Sequence, residues 1–216
     1  MPLIKANGKL VYFAHVPKCA GTAVARYIEA RFGPPAFSDR QFLSVEEPLR
    51  WTRSSPQHVT RDALERLFPP GFFDASFAIV RHPVERLASV FLFQREKEGT
   101  IPPELGFSDW LHRIAADRDR DPFAYDNHTR PMTDFVPDDA VLFRVEDGLE
   151  KLEAWMDATF GAQTAEDPVR IPRVNTRYRR LKDGPPVPPF AITAADRALV
   201  ADLFAMDFDR FGYADA

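Results

Sequence analysis

Leu10-Val-Tyr-Phe-Ala-His-Val16, running into Pro17-Lys-Cys-Ala-Gly-Thr22, is the stretch that decides how the chain is read. Leu10 to Val16 is nearly continuously apolar and rich in β-formers, the pattern of a strand buried on both faces of a parallel sheet. After the Pro17 to Thr22 turn, Ala20, Ala23, Val24, Tyr27 and Ile28 fall on the i, i+3, i+4, i+7, i+8 stripe of a helix, and Gly33-Pro34-Pro35 ends it. The same grammar returns downstream. Ala75 to Val80 is a second buried strand, Arg81-His82-Pro83 turns the chain, and Val84, Leu87, Ala88, Phe91 and Leu92 repeat the helical stripe behind a proline suited to the first helical position.

Further elements fill in around these two units. A helix is expected from Arg61 to Phe68, stopped by Pro69-Pro70-Gly71, and another from Ser108 as N-cap to about Arg120. A third strand is expected at Ala140 to Phe143, a helix from about Asp147 to Phe160, and a short strand near Phe42 to Val45. Thr193 with Asp196 forms a capping pair for a last helix reaching about Met206. Strands alternating with helices make the fold class α/β, with a parallel sheet flanked by helices and right-handed crossovers, whose ligands bind at the carboxyl ends of the strands.

Composition bounds what such a chain can do. At 216 residues, with 45% hydrophobic, 12% aromatic and 28% charged residues, one hydrophobic core and a single domain over 1–216 are expected. A net charge of −4 argues against general nucleic-acid binding, so an anion site must be local. The single cysteine, Cys19, rules out an internal disulfide framework and any cysteine-rich zinc module. Met1 to Lys9 lacks the pattern of a secretion signal, and the longest apolar run is far shorter than the ~20 residues a membrane span needs. The expectation is a cytoplasmic protein with no membrane span. The segment from Pro168 to Pro189 holds six prolines and six basic residues against one acid, Asp183, and reads as a loop that orders on binding.

Both crossover turns carry chemistry. Between a buried strand and a helix start, unpaired backbone N–H groups and the positive end of the helix dipole favour an anion. Lys18 adds a full charge, small residues at Cys19, Ala20 and Gly21 let oxygens approach the backbone, and the Thr22 hydroxyl offers one more hydrogen bond. The pattern differs from G-x-x-x-x-G-K-[ST], because the lysine precedes the glycine and no glycine opens the loop, which disfavours a nucleoside triphosphatase. Arg81 at the second strand's end and Ser89 two helical turns on could grip one dianion. Each motif alone also suits an ordinary turn, in which Gly21 eases packing and Arg81 pairs with a carboxylate. The scattered histidines and acidic pairs such as Asp138-Asp139 in loop-like sequence form no metal-ligand pattern, so no metal is expected.

Together the two motifs resemble a known pair. Phe13-Ala-His-Val-Pro-Lys-Cys-Ala-Gly-Thr22 resembles the 5′-phosphosulfate loop of PAPS-dependent sulfotransferases of the carbohydrate and heparan 2-O type, and Phe77-Ala-Ile-Val-Arg-His-Pro-Val-Glu-Arg-Leu-Ala-Ser89 resembles that family's 3′-phosphate motif. The likeness continues through Asp126-Asn-His-Thr-Arg-Pro131, Phe143-Arg-Val-Glu146 and Asp207-Phe-Asp-Arg-Phe211. It implies a P-loop-nucleotide-hydrolase-like sulfotransferase fold, with PAPS as co-substrate bound by Lys18, Cys19, Ala20, Gly21, Thr22, Ala23, Arg81 and Ser89, and with Thr176 and Arg179 matching a late cofactor-closing segment. It also implies that Lys18 lies beside the transferred sulfuryl group. His58, in Pro56-Gln-His-Val-Thr60, resembles the family's Gly-His-Val segment, which holds the general base, with Gln57 in place of the glycine.

Of the other histidines, His15 is expected to be packed and hydrogen-bonded, His82 a turn residue and His112 solvated, while His128 is expected either to contact the acceptor or to stabilise its loop. The implied acceptor is a hydroxyl on a carbohydrate or another small polar molecule. An ATP-dependent phosphotransferase and a non-catalytic nucleotide-binding module are the alternative readings.

Overall fold

The computed structural model of the chain describes residues 2–172 and 190–214. Its sheet has the order β1 (Leu3–Ala6), β2 (Lys9–Ala14), β3 (Ala75–Val80), β4 (Val141–Arg144). β2, β3 and β4 are parallel, with Phe13 opposite Phe77 and Ile79 opposite Phe143. Val11 to Ala14 and Ser76 to Val80 are buried at every position, as strands covered on both faces must be.

The parallel sheet read from sequence is present as β2, β3 and β4, and the first correction is an added edge strand, β1, which runs antiparallel to β2. Asn7 and Gly8 both take positive φ, 50° and 77°, and close a two-residue hairpin between them. A second correction falls at Phe42 to Val45, where a 3-10 turn, Phe42–Ser44, replaces the expected strand and buries only Phe42.

Helices α1 (Gly21–Phe32), α2 (Arg61–Leu67), α3 (Pro83–Phe93), α4 (Phe107–Arg120), α5 (Glu150–Phe160), α6 (Ala194–Leu203) and α7 (Ala205–Phe211) complete the architecture. Gly106, not Ser108, is the N-cap of α4, and Thr193 with Asp196 forms the expected capping box on α6. The last helix breaks at Phe204 and resumes as α7, so the expected single helix to Met206 becomes two. One apolar cluster fills the faces of the sheet, including Val24, Ile28, Phe77, Leu152 and Met156. A second is built by helices α3, α4, α6 and α7 around Phe91, Trp110, Ile114 and Phe204. Among the described residues no helix is long and apolar enough to cross a membrane.

This arrangement positions the site. Because β2 and β3 are parallel neighbours in register, the turns after Ala14 and after Val80 leave the same edge of the sheet, about one strand spacing apart. β4 ends beside them, and there the Glu146 carboxylate accepts the backbone N–H of His82 at 2.7 Å.

Candidate active site

The first turn is shaped for an anion. Lys18 and Ala20 take left-handed backbone with φ of 66° and 60°, a conformation rare outside glycine, and the φ sign alternates through the turn into α1. Alternation of this kind gathers successive N–H groups into a concave nest. No side chain caps the N-terminus of α1 and no acid lies in its first turn. By contrast, Thr60 caps α2 and Thr193 caps α6. The N-terminus of α1 is thus uncapped, as are those of α3, α4, α5 and α7, and it differs from them in following the left-handed residues Lys18 and Ala20.

Gly21 is required here by contact. A Cβ at this position would lie 1.7 Å from His15 Nε2, so the imidazole of His15 occupies the space any side chain would take. Cys19 turns the other way. Its thiol is buried against the Met132 sulfur at 3.9 Å, and burial pushes its pKa up to about 12, so only its backbone can serve a ligand. Ala23 is buried and Thr22 exposed.

The second turn comes to the first. Arg81, partly buried, lies 3.6 Å from the exposed Glu85 carboxylate, a pairing that water weakens and that leaves the guanidinium able to exchange partners. Ser89 is partly buried on α3, and Phe93 follows it by four residues on the same helical face. The Lys18 ammonium sits 3.8 Å above the Phe93 ring. The face of α3 that carries Ser89 therefore runs toward the lysine of the first turn. Lys18, the nest, Arg81 and Ser89 belong to one end of the molecule. Thr176 and Arg179 lie outside the described residues, as does most of the expected 168–189 loop. Arg170, at its start, pairs with Glu153 at 2.8 Å.

His58 stands beside the end of β2 in a file of three imidazoles. Its ring centroid is 4.8 Å from that of His15 and 5.1 Å from that of His128. His58 Nδ1 is 3.1 Å from the His15 carbonyl oxygen. A carbonyl only accepts, so Nδ1 carries the proton and the lone pair is on Nε2, the tautomer a base acting through Nε2 requires. Burial lowers the His58 pKa below its ordinary 6.5, while the Asp126 carboxylate pulls it back up. Burial holds His15 and His128 lower still.

The remaining histidines divide as follows. His15 is packed and hydrogen-bonded as expected, stacked on Phe13 at 5.0 Å with its carbonyl oxygen accepting from His58 Nδ1, while its own Nδ1 is buried without a partner. His128 is buried in the file, with Nδ1 2.6 Å from the Tyr125 carbonyl and 3.1 Å from the Gln94 amide nitrogen. His82 packs edge-on against Phe208 and Tyr213, and His112 is exposed. Among the described residues no group of three or more His, Cys, Asp or Glu side chains is arranged to hold a metal ion.

Sequence reasoning passed over Arg86, which is fully buried and donates to the carbonyl oxygens of His128, at 3.1 Å, and Arg130, at 2.6 Å. Asp207 supports the same loop from α7, accepting the N–H groups of Met132 and Thr133 at 2.8 and 2.9 Å. An arginine and an aspartate at buried helical positions were the available signal, since such charges are almost never buried without partners.

Comparison with known proteins bears on the whole chain. A family model described as the sulfotransferase family matches residues 3–214. No curated protein and no solved structure matches. A match over nearly the full length of the chain, on an α/β sheet with two parallel strand-turn-helix crossovers, places it in the sulfotransferase family.

Proposed function

We propose that the protein transfers a sulfuryl group from PAPS to a hydroxyl on a carbohydrate or another small polar acceptor, with His58 as general base. The observation that carries this reading is the hydrogen bond from His58 Nδ1 to the His15 carbonyl, which leaves Nε2 as the lone-pair nitrogen of a buried, neutral imidazole beside the strand end that leads into the Lys18 turn. The residues present suit the nucleotide: an uncapped helix start and a left-handed nest for one phosphate end, Arg81 and Ser89 for the other.

When bound, PAPS supplies an activated sulfur whose leaving group is adenosine 3′,5′-bisphosphate. His58 Nε2 takes the proton of the acceptor hydroxyl as its oxygen attacks sulfur. Lys18 and the N–H groups of the nest face the negative charge that develops on the departing phosphate, and these fixed charges do most of their work in the transition state. Cys19, Ala20, Gly21 and Ala23 contribute backbone and space, and the Thr22 hydroxyl donates to a phosphate oxygen. Thr176 and Arg179, outside the described residues, are the further nucleotide-binding residues of this reading.

Incubation with PAPS and a panel of sugar acceptors, read as acceptor-dependent release of adenosine 3′,5′-bisphosphate, tests the reading. A thermal shift separates it from phosphotransfer: stabilisation by the bisphosphate without metal supports sulfuryl transfer, and stabilisation by ATP with magnesium alone contradicts it. Bisphosphate binding with no transfer to any acceptor indicates a non-catalytic nucleotide-binding module.

A further inference from the structure

The segment between α4 and β4 contains an unusual backbone. Tyr125, Asp126 and Asn127 are three consecutive non-glycine residues in the left-handed region, with φ of 55°, 53° and 64°. Left-handed residues normally occur singly, and a run of three persists only where its surroundings over-determine it. Here they do. Arg86 holds the carbonyls of His128 and Arg130, Arg118 holds that of Thr129 at 3.2 Å, and Arg130 Nε donates to Asn127 Oδ1 at 3.0 Å.

What the run presents is aimed at the turn that carries His58. The Asp126 carboxylate accepts the Ser55 backbone N–H at 2.6 Å and also the Ser55 hydroxyl. Asn127 Nδ2 donates to the His58 carbonyl at 3.1 Å. Ser55 and His58 are themselves the two ends of the 3-10 turn Pro56–His58, closed by His58 N–H donating to the Ser55 carbonyl at 2.9 Å. Two side chains that adjoin in sequence therefore grip both ends of a one-turn element. The element is a single turn between extended residues Ser55 and Val59, with Pro56 and His58 buried.

We propose that Asp126 is a positioning residue for His58: with Asn127, it makes the left-handed run a brace that fixes the base-bearing turn and so keeps His58 Nδ1 on the His15 carbonyl. The assignment rests on His58 acting as the base. Burial and the Lys18 charge lower the His58 pKa, the Asp126 carboxylate raises it, and the imidazoles of His15 and His128 flank the ring.

Two variants separate bracing from charge and from folding. Asp126→Ala removes both hydrogen bonds to Ser55. Asp126→Asn keeps an acceptor for the Ser55 N–H, removes the charge and suits left-handed backbone better than alanine does. With PAPS and the best acceptor of the wild type, Asp126→Ala lowers kcat at least ~10-fold while bisphosphate affinity by calorimetry stays within ~2-fold. Asp126→Asn restores kcat to within ~3-fold, and the acid limb of its pH profile moves to lower pH. Wild-type kcat in Asp126→Ala, an equal loss of nucleotide affinity, or an Asn variant as slow as the Ala variant overturns the brace. An NMR signal reads it without turnover: the protected Nδ1–H of His58 is present in wild type and Asp126→Asn and lost in Asp126→Ala. Its survival in Asp126→Ala overturns the proposal even if no acceptor is found. A wild type without transfer whose Nδ1–H behaves as described sinks only the proposed reaction.

Discussion

At the residue scale, each side chain of the two turns and of the imidazole file has its own contact, and a substitution removes it singly. Replacing His58 by Ala removes the base and leaves the phosphate cradle intact. Transfer should fall 10²- to 10⁴-fold with unchanged bisphosphate affinity, measured by steady-state kinetics beside calorimetry. The pKa of His58 lies below 6.5, so the neutral, active form persists into mild acid, and the acid limb of kcat/KM should bend below pH 6.5. An inflection above that value contradicts a buried base. Gly21→Ala drives a methyl into the His15 ring, which can move only by leaving its stack on Phe13. Overpacking of this kind costs about 1–3 kcal/mol, or roughly 2–12 °C in Tm for a chain of this size. The double variant with His15→Ala should recover most of the loss, and failure to recover means that Gly21 serves something other than His15. Lys18, Gly21 and Arg81 were legible in the sequence because strand-turn-helix patterns put them at strand ends. That Cys19 faces the core was not, since the left-handed turn that rotates it inward occurs at Lys18 and Ala20, where no glycine announces it.

At the element scale, the loop that follows α4 is held by charges brought from distant helices. Arg86 of α3 is buried with its carbonyl partners, and burial raises the Asp207 pKa while Arg86 opposes the rise. Arg86→Met leaves the carbonyl oxygens of His128 and Arg130 without their donor, and a buried polar group left unsatisfied costs about 1–3 kcal/mol. Urea unfolding should show that loss, and a change under 1 kcal/mol would show that the loop holds without Arg86. The strands and helices of the two crossovers were readable because their apolar periodicity is set by burial on the sheet. The 3-10 turn at Phe42, closed by local bonds from Ser44 N–H to Gln41 and Val45 N–H to Phe42, left no period to read, and the run at Tyr125–Asn127 is shaped by tertiary hydrogen bonds to Ser55 and His58 against local preference. Asn7-Gly8 is a different case, a hairpin signal written in the chain in full, beside a strand of only four residues.

For the molecule as a whole, the file of imidazoles links the site to stability. An unfolded histidine titrates near 6.5, whereas His58 and His128 are held neutral in the folded state below that pH. Below pH 6.5 the unfolded chain therefore binds more protons, and folding loses up to about 1.4 kcal/mol per pH unit for each ring. Unfolding free energy should drop between pH 6.5 and 5.5, and His128→Gln should flatten the slope. An unchanged slope in that variant contradicts the burial of its charge-sensitive ring.

The central claim, that the turns after β2 and β3 hold the two phosphate ends of one nucleotide, is tested most directly by calorimetric titration with adenosine 3′,5′-bisphosphate in metal-free buffer. Wild type should bind one equivalent, and Lys18→Ala and Arg81→Ala should each weaken binding by about 10- to 150-fold, the loss of one charged hydrogen bond of about 1.5–3 kcal/mol. Binding that neither substitution alters, or no binding by the wild type, would contradict it.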